Sequence, residues 1–447
     1  MVRDLRHRYM LVFSTALILI SFFCIKKSYA LQSVTHDSTG LKLDDGSGAY
    51  ATGHYPNLFK QLGHSKKEID AKINAAFQQL FFGNKDQRIY FHAGKNENGP
   101  LAYITDVAHH DVRTEGISYG MMIAVQLNKK DVFDALWNWA MTYMYVRSPK
   151  QPAQGYFRWS LKVDGTPNSE TPAPDGEEYF VTALYFASHR WGNGEGIYNY
   201  KAWADKILTA IRHHPLKTGK TKFGKRTIHN MVSEKHKMIR FVPGVNRNDF
   251  TDPSYHLPAF YELWARWGPQ EDRQFWADAA DSSRAFFQKA TNAKTGLPSD
   301  YANFDGSPHK TKGFRYSYTY SADAWRTQSN WSVDWAWWKQ DPGEQELSNK
   351  IQSFFASQGM STYGDDYMLN GKELGSRHAT GLVSTNAVAS LAATHPMAKD
   401  FVKALWNAPI PQKFKERYYD GLLYIMSFLY CSGEYRIWPP QVTNTHQ

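Results

Sequence analysis

Ser65-Lys66-Lys67-Glu68-Ile69-Asp70-Ala71-Lys72-Ile73-Asn74-Ala75-Ala76-Phe77-Gln78-Gln79-Leu80 reads as a helix from its first residue. Ser65 followed by Glu68 has the spacing of a capping box, and Ile69, Ile73, Phe77 and Leu80 then fall on one face. The same stripe returns at Val132, Leu136, Trp139 and Tyr143, and at Trp203, Ile207 and Ile211. It recurs at Phe275, Ala279 and Phe286, and at Leu347, Ile351 and Phe355. Further helices are predicted over 178–191, 258–267, 322–337, 385–393, 399–406 and 421–429, with Gly192 and Gly268 placed as C-terminal caps. Roughly a dozen helices and few convincing strands make an all-α chain of paired helices.

Between the helices run long segments rich in Gly, Pro, Asn and Asp, over 94–112, 147–176, 215–253, 292–320 and 359–379. Long connections between regular elements usually carry function, so these are expected to gather into a substrate groove. No stretch reads as a linker, which predicts one domain over residues 31–447.

Composition narrows the class. With 21% charged and 42% hydrophobic residues in 447, and no low-complexity run, the chain can bury a large core. Aromatic residues reach 15%, including 15 Trp and 27 Tyr, which serves either a large aromatic core or rings exposed to stack on sugar faces.

Residues 1–30 read as a secretory signal: Arg3, Arg6 and Arg8, an apolar run from Met10 to Ile25, then Ser28-Tyr29-Ala30 as a cleavage site. A lipoprotein signal at Cys24 fits poorly behind bulky Phe23, and an uncleaved anchor is the other alternative. Export to the periplasm or the medium follows, with no membrane contact after cleavage. The signal holds five Lys/Arg and one Asp, so its removal lowers the formal net charge from +10 to +6. That surplus, spread over the chain without a dense Lys/Arg stripe, is no nucleic-acid footprint. Cleavage also leaves Cys431 as the single cysteine, which excludes an intramolecular disulfide and any Cys-based zinc cluster. Cys431 follows an apolar run and is expected to be a buried thiol.

Several motifs fail on context. Gly192-Asn193-Gly194-Glu195-Gly196 follows a helix where a dinucleotide loop follows a strand. Gly219-Lys220-Thr221 resembles the end of a P-loop, but His214 stands where glycine is required. His109-His110-Asp111 and His213-His214 are adjacent residues that seldom converge on one ion, so no metal is expected at either pair. Asn330-Trp331-Ser332 matches a glycosylation site but falls inside a predicted helix.

Three acidic clusters stand out: Asp111 to Glu115 before an apolar helix, Asp175 to Glu178 behind Pro172 and Pro174, and Asp323 in an aromatic setting. Glycosidic cleavage needs two carboxyls, one protonated to assist the leaving oxygen and one ionised. An apolar surround would raise the pKa of the first. Spacing alone serves equally a pair of helix caps at Glu115 and Asp175.

The segment DVRTEGISYGMMIAVQL, residues 111–127, resembles the signature of glycoside hydrolase family 8. The resemblance implies Glu115 as general acid. PAPDGEEYF resembles the second motif, whose Asp, here Asp175, holds and distorts the sugar beside the scissile bond. Asp252-Pro253-Ser254-Tyr255 matches a motif whose tyrosine, here Tyr255, helps position the water. Asp323-Ala324-Trp325-Arg326 resembles the motif of the general base, which names Asp323 with Arg326 as support; Asp300 or Asp305 would be the next bases to test. The likeness runs from Tyr55 to Pro439 and implies an (α/α)6 barrel of twelve helices acting by inversion, without cofactor or metal.

Within the family the chain is similar to the xylan-directed members, above all the reducing-end xylose-releasing exo-oligoxylanases. Gly155-Tyr156-Phe157-Arg158-Trp159-Ser160 resembles their loop with a stacking tryptophan, here Trp159, although a core ring is the alternative. Gly381 to Ala387 follows their pattern too, and Tyr418 is implied as a further substrate-binding residue. Where the exo enzymes carry Leu-His-Pro to block the groove, this chain has Arg377-His378-Ala379. His378 is kept. The missing leucine and proline predict a thinner, less rigid wall and leave an endo-β-1,4-xylanase as the alternative. The substrate partner is thus xylan or xylo-oligosaccharide, and the enzyme reads as a monomer. A non-catalytic glycan-binding helical scaffold is the reading from another class; it would need stacking rings but no acid–base pair.

Overall fold

The computed structural model describes residues 47–441 except 246–248, 313 and 315. The expected signal at 1–30 lies outside the described residues. Among the described residues fourteen α-helices run in chain order: α1 (Ala49–Thr52), α2 (Leu58–Gln61), α3 (Lys66–Phe77), α4 (Thr114–Gln126), α5 (Lys130–Trp139), α6 (Pro174–Trp191) and α7 (Tyr200–His213), then α8 (Pro258–Trp267), α9 (Arg273–Ala290), α10 (Thr327–Trp338), α11 (Gly343–Ser357), α12 (Thr380–Val388), α13 (Ala398–Asn407) and α14 (Tyr419–Ser432). From α3 onward they alternate. The even-numbered helices pack in sequence, α4 on α6, α8, α10, α12 and α14, and α14 closes back on α4. Each odd-numbered helix leans on an even one from outside. The result is an (α/α)6 barrel.

The sequence sorts the two rings by amphipathicity. Outer helices bury one stripe, such as Ile69, Ile73, Ala76 and Phe77 on α3, or Ala398, Phe401, Val402 and Leu405 on α13. Inner helices are buried nearly all round: on α4 every residue but Glu115, and on α14 every residue from Asp420 to Ser432. A helix surrounded by protein has no polar face to reveal its period. For that reason the inner boundaries predicted from the sequence fall short. The helix expected from 178 starts at Pro174, that from 385 at Thr380 and that from 421 at Tyr419. The helix expected from 322 opens as a 3-10 turn, Ala324–Arg326, before α10. Helices α3 and α8 match their predicted starts, and the Ser65–Glu68 capping box is formed.

Close approach of α4 and α6 depends on Gly176, where a Cβ would stand 2.3 Å from Cβ of Thr114. Gly192 and Gly268 occupy the C-cap positions of α6 and α8, but only Gly192 takes a positive φ, 80°. Cys431 is fully buried in α14 and burial pushes its thiol well up, to an inert state.

The long loops hold more strand than the sequence suggests. Five two-stranded antiparallel hairpins or ladders occur among the described residues: β1 (Tyr90–Asn96) with β2 (Gly99–Ile104), β3 (Asp111–Arg113) with β4 (Ser160–Lys162), β5 (Lys217–Thr221) with β6 (Gly224–Ile228), β7 (Val232–Ser233) with β8 (Met238–Ile239), and β9 (Asp366–Tyr367) with β10 (Glu373–Gly375). Strands this short leave too few alternations to be read. The β5–β6 hairpin and its turn carry Lys217, Lys220, Lys222, Lys225 and Arg226 in one short stretch.

Candidate active site

The six inner helices all start at one end of the ring, and every residue given a role from the sequence except Trp159 lies at one of those starts. Glu115 and Asp175 are in the first turns of α4 and α6. Tyr255 ends the 3-10 turn Pro253–Tyr255 before α8, and Asp323 and Arg326 belong to the turn before α10. His378 precedes α12, and Tyr418 is the N-cap residue of α14. Six helix N-termini present their positive dipole ends to one basin, which favours the carboxylates gathered there.

Arg326 is the hub. Its side chain is 5% exposed, and Nη1 donates to Oε2 of Glu115 at 3.1 Å, to Oδ2 of Asp175 at 3.2 Å and to the Tyr119 hydroxyl at 3.3 Å. Nη2 donates to the Ser254 hydroxyl at 2.9 Å and to Oδ1 of Asp323 at 3.2 Å. Its Nε reaches the Asp323 carbonyl at 3.4 Å. The guanidinium expected to support Asp323 is engaged with several protein oxygens and orients three carboxylates at once.

Glu115 carries the geometry of an acid. Its other oxygen, Oε1, accepts from the Tyr418 hydroxyl at 2.9 Å, and its side chain is 15% exposed. Tyr418 can reach it only because residue 116 is glycine: a Cβ there would lie 2.7 Å from the Tyr418 ring. Burial lifts the Glu115 carboxyl to about 7, against the pull of the Arg326 charge and with help from Asp175. Glu115 is then largely protonated in mildly acidic water, as proton donation to a leaving oxygen requires. A direct consequence is an alkaline limb in the pH profile. With Glu115 as the acid that the family resemblance implies, the protonated form is the active one, and kcat/KM should fall with a slope of one as pH rises through about 7. A profile without that limb would take the acid role away from Glu115.

Four further carboxylates, Asp175, Asp252, Asp300 and Asp323, crowd the site, and exposure separates them. Asp252 is fully buried and Asp300 and Asp175 nearly so, whereas the Asp323 side chain is 36% exposed. Oδ1 of Asp300 accepts from the backbone N–H of Ser321 and of Ala324, both at 3.0 Å, so it clamps the turn that bears Asp323. Asp252 accepts from the N–H of Ser254 at 2.7 Å. Burial, with the Asp323 charge second, holds both Asp252 and Asp300 well above the usual carboxylate range. Asp323 is thus the carboxylate with room for a water beside it. Asp305, the other alternative base, sits exposed in a turn and bonds Ser307. Of the acids after Pro174, Glu177 and Glu178 face inward to the Phe157 N–H and the Tyr261 hydroxyl, and only Asp175 joins the site.

Trp159 reaches the same basin from the β3–β4 ladder, where its carbonyl accepts from the N–H of Thr114 at 3.0 Å. The ring is 36% exposed, which rules out the core reading. Arg113 lies between the Trp159 and Tyr418 rings, 5.8 and 5.9 Å from their centroids. Tyr255 is buried with Arg326 5.7 Å over its ring. His378 is exposed, its Nδ1 2.9 Å from the Tyr363 carbonyl. Arg377, at the position of the missing leucine, bonds Asp365 at 2.8 Å and Asp420 at 2.9 Å. Sequence reasoning missed Tyr119, Arg113 and Ser254, although all three lie inside the motifs quoted above. Among the described residues no group of His, Cys, Asp and Glu is placed to hold a metal ion.

A buried carboxyl with a raised pKa, a more exposed carboxylate on the same arginine and a part-exposed tryptophan at one end of a closed helical ring agree with the comparison to known proteins. The family model described as Glycosyl hydrolases family 8 matches residues 96–433. The chain belongs to that family. It is therefore a glycoside hydrolase. It is 44% identical over 398 residues to the reducing-end xylose-releasing exo-oligoxylanase Rex8A of Paenibacillus barcinonensis, covering 88% of this chain and 99% of that protein. The reducing end xylose-releasing exo-oligoxylanase of Bifidobacterium adolescentis is 39% identical over 393 residues, covering 85% and 96%. Among solved structures, a family 8 xylanase from Teredinibacter turnerae, a catalytic mutant in complex with xylohexaose, superposes with a TM-score of 0.87 at 52% identity, over 88% of this chain and 100% of that one.

Proposed function

We propose that this glycoside hydrolase cleaves β-1,4-xylosidic bonds in xylo-oligosaccharides with inversion, releasing xylose from the reducing end. The observation that carries the mechanism is the shared guanidinium. Glu115 and Asp323 each reach Arg326 through one side-chain bond, of 3.1 and 3.2 Å, on adjacent nitrogens. Both carboxyls thus face one guanidinium, near enough to flank a single glycosidic bond; membership of family 8 supports inversion, which calls for a separation of roughly 6.5–9.5 Å that admits a water. Glu115 protonates the leaving oxygen, Asp323 deprotonates the water on the opposite sugar face, and Asp175 holds the sugar between them. Trp159 supplies a stacking surface. The names of the two exo-oligoxylanase relatives support the xylose-releasing mode.

A second reading, internal cleavage of xylan, is favoured by two observations. The T. turnerae xylanase is more similar, at 52%, than either exo-oligoxylanase, at 44% and 39%. Arg377 and Ala379 also stand where a blocking leucine and proline are expected. Products from xylotriose and from soluble xylan decide between them: xylose from the trimer with little polymer attack supports the exo mode, and rapid viscosity loss supports internal cleavage. Proton NMR of the earliest product should show the α-anomer at the new reducing end. An initial β-anomer would sink the inverting assignment.

Export completes the reading. Residues 1–30 direct the chain to the periplasm or medium and are removed after Ala30, and the mature enzyme works as a monomer. N-terminal sequencing of the exported protein should begin at Leu31, and light scattering should return the mass of one chain.

A further inference from the structure

The β5–β6 hairpin has a charge pattern that the fold itself does not use. Its register sets Lys220 directly opposite Lys225 and Gly219 opposite Arg226. Like charges facing each other across a two-stranded ladder oppose its formation. Lys220, Lys222, Lys225 and Arg226 are exposed, and none forms an ion pair among the described residues. The nearest acid, Glu170, is buried and turned to the backbone N–H of Lys222 and to the Gln151 amide. Phe223, at the turn, is 42% exposed.

Position gives the cations a purpose. One face of the hairpin is seated on the loop that leads to Trp159: a Cβ on Gly219 would meet Pro152 at 2.9 Å and the Lys150 carbonyl at 3.0 Å, and Lys217 donates to Gln154 at 2.8 Å. Glu170, held by the Lys222 N–H, precedes Thr171, whose carbonyl accepts from the N–H of Trp159 at 3.1 Å. The opposite face, at alternate positions, presents Lys220, Lys225 and the turn residue Lys222, two hydrogen-bonded links from the stacking ring.

We infer that this hairpin face binds the carboxylates of uronic-acid-substituted xylan whose backbone is seated on Trp159. The inference rests on the xylan reading above and adds the substrate's charge to it. A neutral xylan chain would leave Lys220 and Lys225 in mutual repulsion. Carboxylates borne on short branches bring anions to both without disturbing the stacked backbone. Nucleic acid calls for a longer basic track than one two-stranded face, and the neighbouring sugar-stacking ring favours a polysaccharide.

The test compares wild type with a Lys220→Glu/Lys222→Glu/Lys225→Glu variant, and with the milder triple change to Gln. Retention in native gels containing glucuronate-substituted xylan should fall about tenfold at low salt in the Glu variant, the summed effect of three exposed pairings. Retention by linear neutral xylan should stay unchanged, and the difference should fade above roughly 0.1 M salt as screening sets in. KM on the acidic polymer should rise in parallel while KM on neutral xylohexaose does not. Equal retention of wild type and variant by the acidic polymer would overturn the inference. So would wild-type binding to double-stranded DNA or anionic lipid vesicles as tight as to acidic xylan, since the patch would then be a general anion surface. Failure of wild type to hydrolyse neutral xylohexaose would strike the catalytic reading instead, and the gel comparison would still decide the hairpin.

Discussion

Glu115→Gln and Asp323→Asn are each expected to lower kcat on xylo-oligomers by about 10²–10⁴-fold or more, with little change in the unfolding midpoint. Both replacements keep shape and hydrogen-bonding capacity while removing the proton chemistry. In Glu115→Gln the amide oxygen could still accept from Tyr418, but the amide cannot protonate a leaving oxygen. In Asp323→Asn the amide oxygen could still accept from Nη2 of Arg326, yet the group cannot take a proton from water. The two variants should differ in one respect. A substrate with an activated leaving group, such as an aryl xyloside, needs little help from an acid, so it should recover much of the Glu115→Gln loss and none of the Asp323→Asn loss. Near wild-type turnover in Asp323→Asn would remove the base role from that residue. Asp300 would be a poor successor, because both of its acceptor bonds at Oδ1 hold the turn on which Asp323 sits.

The parts of this molecule that were legible in the sequence are those whose chemistry is local. Outer helices such as α3 and α9 declare themselves by a stripe of apolar residues, and Ser65 and Glu68 fix a helix start within a single turn. Glu115, Asp175 and Asp323 stand in motifs whose neighbours are close in the chain. What could not be read depends on distant segments meeting. Tyr418 lies 303 positions from Glu115, and nothing near it in sequence says that Gly116 leaves space for its ring. Arg326 looks like a helper of its own motif until other helix starts converge on it. The common position of these residues, each at the N-terminus of an inner helix, is the regularity that a sequence reading lacked. Inner helices hide their limits because protein surrounds them, and those limits are where the site is built.

Arg326→Met should be the most damaging single change outside the reacting carboxylates. Methionine replaces only the apolar stem of arginine, and the loss of charge leaves Glu115, Asp175 and Asp323 without the cation that faces all three. Removing one partner of a buried ion pair typically costs about 3–5 kcal/mol, because the remaining charge is stranded in a poorly solvated place. Glu115 and Asp175 can escape that cost by taking up protons, which gives the effect a pH dependence of definite sign. Burial already raises both carboxyls, and Arg326 is the largest influence acting to lower them. In the variant both rise further. A group whose folded pKa lies above its unfolded value favours folding at low pH and loses that contribution as pH climbs through the folded value. The stability deficit of Arg326→Met should therefore be small in mildly acidic buffer, below the Glu115 value of about 7, and large in mildly alkaline buffer above it. Arg326→Lys should recover part of the stability, since it restores a charge, but not the activity, since one ammonium cannot reproduce a fork holding Glu115 and Asp323 on separate nitrogens. Denaturant unfolding of the three proteins on either side of that value measures this directly. A deficit of equal size in both buffers would mean that Arg326 acts through packing and not through its charge.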